Sequence, residues 1–182
     1  MEALKLKHYY TYEEWYDLDD NTRSELLNGV LYMMAPPSRR HQAILVELCR
    51  QFANFLRGKP CNVYPAPFSV RLDKGKDTVF QPDIVVVCDS SKLTDKDCEG
   101  APELVIEILS PSTSQYDRFT KFNEYLRAGV QEYWIVDPRD NTATAHRLKN
   151  GAYVTETYSD ESVAKPHVLP GCDIDLSLVF HE

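Results

Sequence analysis

The chain has 182 residues, close to one average domain and enough for a single sizeable core. Hydrophobic residues make up 43% and charged residues 26%, and no apolar run reaches the roughly 18 residues of a membrane span, so disordered, collagenous and membrane-spanning classes are excluded. Twenty basic against 28 acidic side chains leave a net charge of −8, which argues against a protein that coats nucleic acid through bulk electrostatics. An acidic cluster that holds a divalent cation would add to that count yet present a partly neutralised surface once the ion binds, so an enzyme acting on DNA is not excluded.

One compact domain over residues 1–182 is expected. Met1-Glu2-Ala3-Leu4-Lys5 carries no apolar stretch behind a basic cluster, which predicts a cytoplasmic protein with no membrane partner. Thr11-x-x-Glu14 is a capping-box pattern for a short helix to about Asp17, broken by the polar residues 19–22. Asn28-Gly29 joins apolar arms over 23–27 and 30–34, the strongest short signal for a type I′ hairpin, and Pro36-Pro37 ends the second arm. Ser38 caps a long helix in which Ile44, Leu48, Phe52, Phe55 and Leu56 recur at three-to-four spacing up to Gly58, and His41 extends that stripe backwards.

Strands are predicted over 62–72 and 79–88, the second ending in the run Ile84-Val85-Val86-Val87 of a strand covered on both faces. After a polar connection, 103–109 forms another strand. Ser114-x-x-Asp117 opens a helix with Phe119, Phe122 and Leu126 on one face and Gly129 at its end, and 132–137 is a further strand. Asn150-Gly151 marks a second hairpin between 142–148 and 152–158, and a short strand or turn lies over 173–178. The order from Ser38 to Asp137 is therefore αβββαβ, in an α/β fold whose central sheet is mixed because the last strand-helix-strand step is a parallel crossover. Five cysteines, odd in number and without a C-x-x-C pair, predict reduced thiols, with Cys49 and Cys88 in the core.

The chemistry concentrates on two carboxylates. Asp83 follows Pro82 at the entrance of one apolar strand and Glu107 interrupts another, and a buried carboxylate is costly unless paired or bound to metal. If the strands are antiparallel with Val85 opposite Glu107, Asp83 and Glu107 are diagonal neighbours on one face. Two carboxylates with water filling the other positions suit Mg²⁺ or Mn²⁺, an ion that can polarise a phosphoryl oxygen. Lys121 shares a helix face with Asp117 and Tyr125 and is placed to orient a water or stabilise developing charge. Structural alternatives stand beside each: a turn carboxylate at Asp83, a buried salt bridge at Glu107, an exposed helical ion pair between Lys121 and Asp117.

Other charged residues divide the same way. His41, on the apolar face of its helix, reads as a hydrogen-bonded core histidine in preference to a ligand or base. Arg39 and Arg40 oppose the macrodipole in a first helical turn and are either solvated or phosphate contacts; Arg71, Lys74 and Lys76 form a soluble loop or a DNA-backbone contact. Asp95-x-Asp97-x-Glu99-Gly100 is not a calcium hand, since its twelfth position is Ile106.

Pro82-Asp83 followed by a strand with Glu107 resembles the PD-(D/E)XK nuclease superfamily, whose core order is also αβββαβ. More closely, the sequence is similar to the Uma-two family of restriction-endonuclease-like proteins. The segments that carry this are Ser24-Glu25-Leu26-Leu27-Asn28-Gly29, Met34-Ala35-Pro36-Pro37-Ser38 with His41, Gln81-Pro82-Asp83-Ile84-Val85-Val86, residues 102–112, Asp117 with Lys121 and Tyr125, and residues 129–138. The resemblance implies a restriction-endonuclease-like fold with hairpins flanking the core, metal ligation by Asp83 and Glu107, an accessory carboxylate at Glu25, DNA as substrate and a homodimer. It departs at Leu109, where the superfamily places its lysine; in the similar family that role moves to the following helix, here Lys121. The structural alternative for Glu25 is a hairpin carboxylate paired with Arg23 or with a neighbouring strand. Two functions are carried forward: a metal-dependent endonuclease, and a non-catalytic nuclease-like module for nucleic-acid binding or self-association, which Leu109 and the negative charge favour.

Overall fold

The computed structural model describes residues 8–18, 23–111 and 114–181. The first capping box forms as expected: Thr11 Oγ1 accepts from Glu14 N and the Glu14 carboxylate accepts from Thr11 N, opening α1 (Tyr12–Tyr16). The polar break expected at 19–22 lies outside the described residues. β1 (Ser24–Leu27) and β2 (Val30–Met33) are an antiparallel hairpin, and the φ angles of Asn28 (48°) and Gly29 (75°) are the two left-handed positions a type I′ turn requires. Ser38 caps α2 (Arg39–Leu56) by accepting from His41 N, and the helix buries the stripe His41, Ile44, Leu45, Leu48, Phe52 and Leu56.

The strand predicted over 62–72 divides in two. β3 (Asn62–Pro65) ends before the cis Ala66–Pro67 peptide, and β4 (Ser69–Arg71) leaves the sheet that β3 belongs to. The strand predicted over 79–88 shortens to β5 (Ile84–Val87), because Pro82 has no N–H for the ladder; Val79 and Phe80 instead bridge Leu26 and Val70. The polar connection after β5 contains β6 (Asp97–Glu99), parallel to β4.

β7 (Leu104–Ile108) runs through a connection containing a π-helical turn (Tyr116–Lys121) and α3 (Phe122–Ala128) to β8 (Glu132–Asp137), and β7 and β8 pair in parallel. β9 (Thr142–Lys149) and β10 (Ala152–Ser159) follow, then β11 (Val163–Ala164), β12 (Ile174–Asp175) and α4 (Leu176–Phe180). The central sheet has the order β10-β9-β8-β7-β5-β3, mixed as expected, and the C-terminal hairpin extends it. No described helix is long and apolar enough to cross a membrane.

Strand alternation divides the core into two layers. Leu104, Ile106, Ile108, Trp134 and Val136 pack under α2 and α4, while Val85, Val105, Tyr125, Tyr133 and Ile135 form the opposite layer under α3. Each fully buried side chain of this size contributes roughly 1.5–3 kcal/mol through removal of apolar surface from water.

Two expectations are corrected. Cys61 and Cys88 are joined in a disulfide, because the register that pairs Asn62 with Val87 sets these two residues opposite each other across β3 and β5. Cys49, Cys98 and Cys172 are free thiols. The apolar face predicted at Phe119, Phe122 and Leu126 holds only in part: Phe122 packs half-buried against the second layer, but Phe119 is 63% exposed, and the fully buried side chains are Asp117, Lys121 and Tyr125. The physical reason is a set of carboxylates waiting beneath that helix face.

Candidate active site

The sheet brings Asp83 and Glu107 to one face. Val85 pairs with Val105, two residues earlier than the expected partner Glu107, and Ile84 pairs with Ile106. A two-residue change preserves the face of every side chain, and continued by one residue it sets Asp83 abreast of Glu107. Asp83 Oδ2 accepts from Ile108 N at 2.8 Å and lies 3.2 Å from His41 Nε2, so β7 and the first turn of α2 hold the carboxylate from two sides. His41 is thus bound to a predicted site residue, which the apolar stripe around it hid.

Glu107 is buried and points into the layer away from α2. Its Oε1 accepts from Lys121 Nζ at 2.8 Å and from Tyr125 OH at 3.0 Å. Lys121 Nζ lies 2.8 Å from Glu25 Oε1 and 3.6 Å from Asp117 Oδ1 as well, so a single ammonium serves three carboxylates. Lys121 is only 2% exposed. The exposed Lys121–Asp117 pair is therefore excluded, and Glu25 pairs with Lys121 instead of Arg23. Glu25 Oε1 also accepts from Gln81 N at 2.9 Å, which ties β1 to the segment entering β5.

Burial and charge set the protonation of this cluster. Burial pushes the Glu107 carboxyl well above the usual carboxylate range; Lys121 opposes this, while Asp117, Asp83 and Glu25 add to it. Burial alone would depress Lys121, but Glu107, Glu25 and Asp117 outweigh it and hold the ammonium well above its usual range. Burial next to Glu107 likewise raises the Tyr125 phenol, which stays a donor. Its three carboxylate neighbours thus favour the ammonium form of Lys121.

A cleft of about 390 Å³ opens beside these groups, lined by Arg23, His41, Asp83, Glu107, Asp117 and Lys121 among others. Among the described residues no group of three or more His, Cys, Asp or Glu side chains is arranged to hold a metal ion. The donor set that fits one is smaller: Asp83 Oδ1 and Glu107 Oε2 accept no hydrogen bond from the described residues, while their sister oxygens are held. Two hard oxygen donors in an environment with excess negative charge match an ion such as Mg²⁺, which keeps much of its hydration shell.

The remaining basic candidates lie elsewhere. Arg40 donates to Asn141 at 2.8 Å, and neither it nor Arg39 lines this cleft. Lys74 and Lys76 line a separate cleft of about 480 Å³ and are paired with Glu99 and Asp73; Arg71 covers the Tyr12 ring at 4.0 Å. Arg23 is the cleft residue that sequence reasoning missed, and its i, i+2 spacing from Glu25 in an extended segment was the available signal.

A family profile named Uma2 and described as "Putative restriction endonuclease" matches residues 9–177. Two uncharacterized proteins of Synechocystis sp. (strain PCC 6803) are similar, one 32% identical over 127 residues (68% of this chain, 66% of the relative) and one 25% identical over 118 residues (63% and 66%). The chain thus spans about two thirds of the length of each relative. Among solved structures, a crystal structure titled as a "putative nuclease belonging to DUF820" from Anabaena variabilis superposes with a TM-score of 0.75 at 22% identity, covering 93% of this chain and 97% of that one. That likeness establishes a shared fold, and the profile match, spanning nearly all of the described elements, establishes the family: the chain belongs to the Uma2 family of restriction-endonuclease type.

Proposed function

We propose that this protein is a divalent-metal-dependent nuclease that hydrolyses phosphodiester bonds of DNA. The observation that supports this best is the incomplete coordination of Asp83 and Glu107, each with one held and one open oxygen at the wall of a cleft. In this reading Asp83 and Glu107 hold Mg²⁺ or Mn²⁺. The bound ion would polarise the phosphoryl oxygen and lower the pKa of a coordinated water.

The protein's own groups do the rest. Ile108 N and His41 keep Asp83 oriented, and Tyr125 and Lys121 keep one Glu107 oxygen occupied so that the other stays directed away from them. Lys121 supplies a permanent ammonium where negative charge builds during attack on phosphorus, the task that the superfamily gives to a lysine at the position of Leu109. Glu25 shares that ammonium and anchors it against β1. The homodimer belongs to the same proposal and rests on the family resemblance; sedimentation velocity reads it.

Leu109, buried in the apolar layer, favours the non-catalytic alternative, in which Lys121 merely neutralises the cluster. Incubation of plasmid and linear DNA with Mg²⁺ or Mn²⁺ separates the two. The parent protein cleaves only with metal, and Asp83→Ala lowers the rate at least about 100-fold, as expected for loss of a group acting on the transition state. Equal cleavage by the variant, or none by the parent, contradicts the proposal.

A further inference from the structure

Buried polar atoms without a hydrogen-bond partner are scarce in folded proteins, and here two of them belong to residues that line one cleft. Among the described residues they are Arg23 Nε, His41 Nδ1, Arg71 Nε, Gln81 Oε1 and Tyr116 OH. Arg23 and His41 line the cleft, Gln81 is bonded through its backbone to Glu25, and the Tyr116 ring lies 5.6 Å from Lys121 Nζ. Of these four, Arg23 alone is a permanent cation.

Its position follows from the hairpin. Arg23 immediately precedes β1, and its carbonyl accepts from Met34 N at 2.9 Å, closing the open end of the hairpin where Met34, Ala35, Pro36 and Pro37 also border the cleft. Glu25, two residues on, meets Lys121 and Gln81 N through Oε1 and makes no ion pair with Arg23. No hydrogen bond or ion pair joins the Arg23 side chain to another described residue. Lys121, the other fixed cation of this cleft, is committed to three carboxylates. Arg23 is therefore the cation of this cleft without a carboxylate partner among the described residues, and a guanidinium presents its N–H groups in a planar fork that matches two oxygens of a phosphate.

We propose that Arg23 is the phosphate contact of this cleft, donating to non-bridging oxygens of the substrate backbone and so setting its register against Asp83 and Glu107. This inference rests on the nuclease reading for its substrate. It assigns to the hairpin a part in substrate binding that is separate from the acidic cluster.

The test is binding of a short fluorescein-labelled DNA duplex, read by anisotropy with Ca²⁺ replacing Mg²⁺, over a range of salt. Arg23→Ala weakens binding about 10-fold or more and lowers the salt slope by about one phosphate contact, while Arg23→Lys recovers the slope with part of the affinity. Arg71→Ala, a control with the same kind of buried Nε, leaves both unchanged. Replacing backbone phosphates one at a time by neutral methylphosphonates weakens the parent at one linkage and has no further effect there on Arg23→Ala; the scan of the parent alone decides the matter if that variant fails to fold. An unchanged slope in Arg23→Ala, no sensitive linkage in the parent, or no binding by the parent overturns the inference. Cleavage by the parent with an unaltered KM in Arg23→Ala sinks Arg23 and leaves the nuclease standing. Arg23-dependent binding without any cleavage does the reverse.

Discussion

Two buried carboxylates on adjacent parallel strands, Glu107 on β7 and Glu132 on β8, have opposite environments. Glu132, fully buried on the face under α2, is saturated: Oε1 accepts from Trp134 Nε1 at 2.7 Å and lies 3.5 Å from Arg147 Nε, and Oε2 accepts from Val168 N at 3.1 Å. Arg147 is itself held by Tyr158, Glu156 and the carbonyl of Lys165. Glu107, on the other face, shares one lysine with two further carboxylates and keeps an open oxygen beside a cleft. The first is a carboxylate whose donors are complete, and it joins the C-terminal segment to the sheet. The second shares one ammonium with two neighbours of its own sign, and the proposed metal site rests on that excess of carboxylate.

This contrast is broken or sharpened by substitution. Lys121→Met leaves three carboxylates facing one another without their cation, and at neutral pH the metal-free protein should lose about 3–5 kcal/mol in denaturant unfolding. Added Mg²⁺ should recover part of that loss; no loss at all would mean that the cluster is solvated or protonated throughout. Glu132→Gln turns one acceptor into a donor facing either Trp134 Nε1 or Val168 N, for a cost of about 2–3 kcal/mol, and Mg²⁺ should recover none of it.

Glu107→Gln should act in the opposite direction. Because the folded state raises the Glu107 pKa, the native protein holds that proton more tightly than the unfolded chain, so stability declines as pH rises above the ordinary carboxylate range. Removing the ionisable group removes the decline, and the metal-free variant should melt about 2–4 °C above the parent near pH 8 but not near pH 4. A lower melting temperature at both pH values would show that Glu107, like Glu132, is structural.

Much of this was readable from the chain. The Asn28-Gly29 and Asn150-Gly151 turns, the Ser38 cap and the α2 stripe are local features whose chemistry determines the outcome within a few residues. Asp83 and Glu107 stood out because a carboxylate in a β-branched run is costly by itself. What escaped depends on partners distant in sequence. The two-residue register between β5 and β7, the pairing of β4 with β6 and the Cys61–Cys88 bond follow from how strands align, which composition does not encode. The π-helical turn exposes Phe119 and buries Lys121 beside Asp117, because Glu25 of β1 and Glu107 of β7 lie beneath it. That Glu25 turns to Lys121 while the Arg23 side chain has no partner among the described residues depends on contacts distant in sequence and is invisible without the tertiary structure.

Calorimetric titration with Mn²⁺ at neutral pH tests the central claim most directly, since it reads the open oxygens without requiring catalysis. The parent should bind one ion per chain, Asp83→Asn and Glu107→Gln should each abolish that binding, and Glu132→Gln should retain it. Absence of binding by the parent, or equal binding by Glu107→Gln, would contradict the account.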